Sequence, residues 1–201
     1  MFLVENTITQ LLGEFEKISR ERKNILENLS RFAASHQPSE FIFICTHNSR
    51  RSHIAQIWAQ TAAAYFNIPD VVAYSGGTDV TAFDRRAVDA LRGLGFQINL
   101  KTTGSNPHYD VRYSDHHPSF DVFSKKYDDQ ENPTNGFAAI MTCTHAEENC
   151  PVIRGASVRI ALPFDDPKEF DGTNLETAKY RERSLEIGRE ILYAFSKIKT
   201  L

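Results

Sequence analysis

The stretch FIFICTHNSRRSHIAQ (41–56) decides the fold. FIFIC is an unbroken apolar run of strand length, the pattern of a strand buried on both faces in a parallel sheet. SHIAQIWAQTAAAYF (52–66) follows, with Ile54, Ile57, Trp58, Ala62 and Phe66 at helical spacing. Asn67 and Pro69 stop it. In an open α/β sheet, ligands sit beyond the carboxyl ends of the strands. Cys45 stands at such an end, and Ser52 opens the helix.

Working outward, the same alternation recurs. DVVAYSGG (70–77) is a second strand closed by glycines, and TAFDRRAVDALRGLGF (81–96) a helix with Gly95 as its stop. FAAIMTC (137–143) and SVRIALPF (157–164) are further strands, and residues 174–197 form a last helix. Such alternation predicts an α/β domain: a four-stranded parallel sheet flanked by helices. Upstream, apolar residues from Val4 to Phe32 recur at spacings of three, four or seven, which predicts one N-terminal helix over 4–33, with Asn6 as a cap. The chain divides into a helical extension (1–38) and the α/β domain (39–201). The helix packs on the domain or, in the sharper reading, forms a homodimer or partner surface. Residues 104–136 are a polar, turn-rich insertion.

The 201 residues carry a net charge of −3 and 41% hydrophobic side chains. That balance argues against a nucleic-acid or membrane-surface protein and is enough for a core without disulfides. No apolar run approaches the ~20 residues that span a bilayer. The N-terminus has neither a basic segment nor a small-residue cleavage site, so no signal peptide is expected. Three cysteines do not make a secreted disulfide framework. The expectation is a cytoplasmic protein with reduced thiols.

The loop from Cys45 to Ser52 suits an anion. Its backbone N–H groups can curl around a tetrahedral oxyanion, and the helix N-terminus adds partial positive charge. Arg51 supplies a forked guanidinium for bidentate contact. The same positive field favours the Cys45 thiolate, a nucleophile aimed at phosphorus or arsenic. The bland alternative makes Cys45 a strand-end thiol and the arginines surface charges.

CTHNSRRSHIAQ (45–56) resembles the C-x-G-N-x-C-R-S-x-x-A-E loop of low-molecular-weight tyrosine phosphatases and thioredoxin-coupled arsenate reductases, which share one fold. The resemblance implies Cys45 as nucleophile and Arg51 as anion clamp, with Asn48 and Ser52 shaping the loop. Thr46, His47, Ser49 and Arg50 complete the oxyanion-binding set. YSGG (74–77) is similar to the family's Y-S-A-G. ALPFDDPKEF (161–170) resembles its acid loop, which implies Asp166, before Pro167, as the general acid that protonates the leaving oxygen. Asp165 is its neighbour.

MTCTHAEENCPVI (141–153) holds Cys143 and Cys150 and resembles the C-S-D-A-D-x-N-C-P segment of the reductases. The implied chemistry is a relay: Cys45 attacks arsenate, Cys143 attacks Cys45, Cys150 attacks Cys143, and thioredoxin takes the disulfide. No other cofactor and no metal are implied. The partners are a small oxyanion (arsenate or phosphate) or a phosphomonoester, with thioredoxin. Two alternatives stand beside the reductase: a phosphomonoester phosphatase acting on tyrosine phosphate, and a non-catalytic oxyanion- or partner-binding module. The tyrosines that usually follow the phosphatase D-P are replaced by Lys168, Glu169 and Phe170.

The chain departs from the pattern in places. His47 stands where the family has glycine, a position expected to need positive φ. Arg50 replaces a cysteine and adds positive charge. Gln56 replaces a glutamate that helps bind potassium in some reductases. In the insertion, His108, Asp110, Asp115, His116 and His117 are metal-ligand types, but adjacent histidines in a polar loop are more often simply exposed. Tyr109, Tyr113, Phe120 and Phe123 suggest instead a lid or wall over the site.

Overall fold

The structure is a computed structural model describing residues 1–149 and 152–198. Four parallel strands form the central sheet: β1 (Ser39–Cys45), β2 (Val71–Gly77), β6 (Phe137–Met141) and β7 (Ala156–Ala161), in the order β2-β1-β6-β7. Helix α3 (Arg51–Tyr65) packs on β1 and β2, α6 (Glu176–Ser196) packs on α3, and α4 (Arg85–Arg92) packs on α6. Six of the seven β1 residues, Ser39 and Phe41 to Cys45, are fully or almost fully buried. The register Cys45↔Gly77 sets Cys45 at the carboxyl edge.

The predicted N-terminal helix is two helices. α1 (Glu5–Leu12) and α2 (Arg20–Ser35) are separated by a short 3-10 turn at Phe15–Lys17. Gly13 follows α1 and weakens helix continuation. The Ser19 hydroxyl accepts from the Arg22 N–H at 3.2 Å and starts α2 afresh. Asn6 lies inside α1, and Val4 holds the cap position. Ile8, Leu11, Leu26, Leu29 and Phe32 are buried in the same core as β1, α3 and α6. The apolar face of this segment is therefore covered by its own chain, and residues 1–38 share one core with the rest. Arg22 ties α2 to α6 through Glu190 at 2.7 Å and donates to the Pro163 carbonyl at 2.9 Å.

The insertion is not a loop throughout. β3 (Gln97–Leu100), β4 (Tyr109–Arg112) and β5 (Phe120–Val122) form an antiparallel sheet. Ile98, Val111 and Val122 are its buried residues. One apolar anchor per strand leaves no periodicity long enough to see in sequence. Tyr113 stacks on Phe2, and Leu3 N–H donates to the Tyr113 carbonyl. Phe120 tilts against Tyr113, and Tyr109 meets Phe83 edge-on. Tyr113 and His117 also face Gln60, Ala63, Ala64 and Val71, at the end of α3 and the start of β2. That is the end of the sheet opposite Cys45, so the aromatic lid is corrected: Tyr113 packs on the N-terminus with Phe120 beside it, Tyr109 packs on Phe83, and Phe123 stacks on His108. The five candidate metal ligands do not converge either. His108 binds Asp121 and stacks on Phe123, while His117 binds Ser114. Among the described residues no cluster of three metal-ligating side chains occurs.

Candidate active site

β1 delivers Cys45 to the sheet edge, and residues 46–50 turn the chain into α3. Neighbouring segments take up the loop carbonyls. Thr46 O accepts from Asp79 N–H, His47 O from the Thr81 and Ser124 hydroxyls, and Ser49 O from Asp84 N–H. A trans peptide points its N–H opposite its C=O. The N–H groups of His47, Asn48 and Arg50 therefore point away from the donors that hold those carbonyls, as an anion nest requires.

Asn48 organises this loop. It adopts φ 44°, a left-handed conformation that asparagine tolerates. The positive φ thus falls on Asn48, not on His47, and the expected strain at His47 does not arise. Asn48 Nδ2 donates to Ser52 Oγ at 2.9 Å, and Asn48 Oδ1 accepts from Lys125 N–H at 2.7 Å. With Ser52 Oγ receiving that bond, its own proton is directed to Cys45 Sγ, 3.1 Å away. A hydroxyl donating to sulfur stabilises the thiolate. Asn48→Ala would leave the buried Lys125 N–H without its acceptor and free Ser52 to rotate. We expect it to lower turnover about 10- to 100-fold and stability by about 1–3 kcal/mol, read from steady-state kinetics and urea unfolding.

The insertion does reach the loop, through the Lys125 backbone N–H and the Ser124 hydroxyl. Gly77 N–H donates to Lys125 O, and Tyr127 N–H to Gly77 O. A Cβ on Gly76 would lie 2.4 Å from Tyr127 Cα, and one on Gly77 2.7 Å from Thr46 O. The two glycines of YSGG permit this approach. His53, buried behind the loop, has its pKa lowered to about 3, by burial first and then by nearby Lys125. It is a neutral imidazole against Ser75 Oγ at 3.0 Å.

Asp166 arrives from the segment after β7, carried on the short 3-10 turn Pro167–Phe170 that it caps. Its Oδ1 accepts from Arg50 Nε at 2.8 Å, and its Oδ2 from Arg50 Nη2 at 3.2 Å and Arg51 Nη2 at 2.7 Å. Arg51 Nη1 also donates to Phe164 O at 2.8 Å, and Arg50 Nη1 reaches Asp84 Oδ2 at 3.3 Å. Burial acts to raise the Asp166 pKa. The Arg50 hydrogen bond and the two guanidinium charges outweigh it and hold the carboxyl below its ordinary range. Asp165 is exposed and pairs with Arg183. Cys45, His47, Ser49, Arg50, Arg51 and Asp166 line one small cleft. No residue of the insertion lines it.

Cys143 follows β6, where Thr142 N–H donates to Ile44 O, beside the end of β1. Its buried Sγ accepts from Ala146 N–H at 3.3 Å and lies 3.5 Å from Thr46 Oγ1. Thr46 Oγ1 is also 3.2 Å from His145 Nδ1. Cys143 opens helix α5 (Thr144–Asn149) and shares one small apolar cluster with Cys45. Both are free thiols. Cys150 lies outside the described residues.

Sequence reasoning missed three contributors: Asp84 on Arg50, the Lys125 backbone on Asn48, and the Phe164 carbonyl on Arg51. Asp84 had a signal only as a helix cap. The other two are backbone groups, which carry no residue-type signal.

No protein-family profile matches the chain. Among curated proteins it is 27% identical to an arsenate reductase of Halalkalibacterium halodurans over 150 residues, 74% of this chain and 89% of that one. It is 28% identical to an arsenate reductase of Bacillus licheniformis over 151 residues, with the same shares. Among solved structures, a low-molecular-weight phosphotyrosine phosphatase of Vibrio cholerae superposes with a TM-score of 0.54 at 14% identity, covering 80% of this chain and 97% of that one. The superposition shows that the chain has the fold of low-molecular-weight phosphotyrosine phosphatases, and over about three quarters of its length its sequence is similar to arsenate reductases.

Proposed function

We propose that the chain is an arsenate reductase working by a cysteine relay. The observation that carries this reading is the second thiol: Cys143 is packed in one cluster with Cys45 and touches Thr46, the residue after the nucleophile. A phosphatase needs no thiol there.

The oxyanion binds in the Cys45–Ser52 loop with Arg51 and Arg50 as its cationic ligands. The Cys45 thiolate attacks arsenic and a hydroxide leaves, protonated as water by Asp166. The Cys143 thiolate then attacks Cys45 Sγ. The sulfur–arsenic bond breaks, its electron pair stays on arsenic, and arsenic(V) departs as arsenite while a 45–143 disulfide forms. Cys150 attacks Cys143 and releases the Cys45 thiolate. The 143–150 disulfide passes to the dithiol of thioredoxin, which is oxidised in turn. Such a cycle belongs in a reducing compartment such as the cytoplasm. Among the described residues, no helix is long and apolar enough to cross a membrane.

The second reading, phosphomonoester hydrolysis, is favoured by Asp166, whose placement in the cleft suits protonation of an ester oxygen. The two separate in one experiment: arsenate-dependent NADPH oxidation with thioredoxin and thioredoxin reductase, wild type beside Cys143→Ser. We expect turnover in the wild type, lost in the variant, with aryl-phosphate hydrolysis retained by both. Absence of arsenate turnover, with hydrolysis indifferent to Cys143, would select the phosphatase.

A further inference from the structure

Asp166 sits where an anion should. Its two oxygens engage Arg50 through Nε and Nη2 and Arg51 through Nη2. This is how guanidinium forks grip two oxygens of a tetrahedral oxyanion. The carboxylate and the Cys45 loop share the same small cleft. A doubly charged oxyanion and an ionised Asp166 cannot both hold those guanidinium groups.

We infer that Asp166 is a resident carboxylate occupying the oxyanion's place on Arg50 and Arg51, and that the incoming oxyanion displaces it and leaves it protonated. The inference rests on the oxyanion reading of the loop and adds a coupling to it. The proton comes from solvent, converting carboxylate to carboxylic acid as the anion binds. Two changes drive the uptake: Asp166 loses its guanidinium partners and gains a dianion as neighbour. In the free protein Asp166 is a clamped anion with no proton to give. The bound state produces the neutral acid that protonation of a leaving oxygen requires. Arg50 has a reason to stay in place throughout, because Asp84 holds its Nη1 from the other side.

The groups facing Asp166 are few. Arg50 and Arg51 come from the loop and α3, and the Lys168 N–H from its own turn. Asp84 and Tyr180 act on it through Arg50, and the Tyr180 hydroxyl is held by Asp171. His47 and Cys45 share the cleft, so the test must separate them from Asp166.

Sulfate is the probe, because it is a tetrahedral dianion that does not itself titrate near neutral pH. Calorimetric titration in two buffers of different ionisation enthalpy gives the protons taken up per sulfate bound. Cys45→Ser protein, which lacks the thiol, is compared with Cys45→Ser/Asp166→Asn between pH 7 and 8.5; His47 is common to both, so the difference between them reports Asp166. We expect uptake of close to one proton in the first and affinity that falls as pH rises, towards about tenfold per pH unit. The second should bind at least about tenfold tighter at pH 8, with no uptake. Asp166→Ser in the same background should behave alike, which guards against an effect peculiar to asparagine. Uptake persisting without Asp166, or equal affinity in the two proteins, overturns the coupling. If neither protein binds sulfate, the oxyanion reading of the loop falls as well, a result distinct from the other two.

Discussion

Cys45→Ser should abolish turnover of arsenate and of aryl phosphate alike, by at least about 10⁴-fold, the scale on which loss of an attacking nucleophile is felt. Cys45 Sγ lies 3.1 Å from the Ser52 hydroxyl, which Asn48 orients, in a loop whose carbonyls are taken up by neighbouring segments. The hydrogen-bond partner of the Cys45 side chain is the Ser52 hydroxyl, which is not a general base. His53 on the same helix is directed at Ser75, and Asp166 is bound to two arginines. A serine at 45 would therefore remain a neutral alcohol. The fold should survive, since oxygen fits where sulfur sits. Steady-state assays of both activities, with circular dichroism as the control for folding, are the check. More than about 1% residual turnover in a folded variant would remove Cys45 as nucleophile.

The second large effect concerns stability. Trp58→Ala should lower unfolding free energy by about 3–5 kcal/mol. The indole is completely buried on α3, meets Phe96 edge-on at 5.1 Å between ring centres, and donates from Nε1 to Ser184 Oγ at 3.3 Å. It lies flat against Gly188 of α6, where a Cβ would come within 2.6 Å of the ring. The missing side chain at 188 and the large one at 58 are two halves of one contact, through which α3 packs on α6. Loss of the ring leaves a cavity that rigid helix backbones cannot close. Because α3 carries Arg51 and Ser52, activity should fall at lower temperatures than in the wild type. Denaturant titration gives the free energy directly. A loss below about 1 kcal/mol would mean that the two helices close the gap between them.

The parts legible in sequence were local ones. The run FIFIC is a strand because five apolar residues in succession suit burial on both faces, and β1 lies at the middle of the sheet. The parallel sheet followed from strands alternating with helices, and the place of the cysteine from the preference of ligands for the carboxyl ends of parallel strands. Where the reading failed, the pattern was weak or the deciding contact was remote. A single apolar face from Val4 to Phe32 cannot show that Gly13 ends one helix and Ser19 caps another, because both helices use the same face against α6. The small β3-β4-β5 sheet has too few buried residues per strand to produce a period.

The candidate site divides in the same way. Cys45, Asn48, Arg51 and Ser52 belong to eight consecutive residues, so their meeting is a matter of loop and helix geometry within one segment. Asp166 reaches Arg51 across 115 residues and Arg50 across 116. No local rule could say that both guanidiniums would close on that carboxylate rather than stand open. The sequence alone determined the strand, the loop and the charges that an oxyanion would meet, because these depend on neighbours along the chain. Only the tertiary structure decided which groups those charges hold before an oxyanion arrives, because long-range ion pairs depend on where packing brings distant segments together.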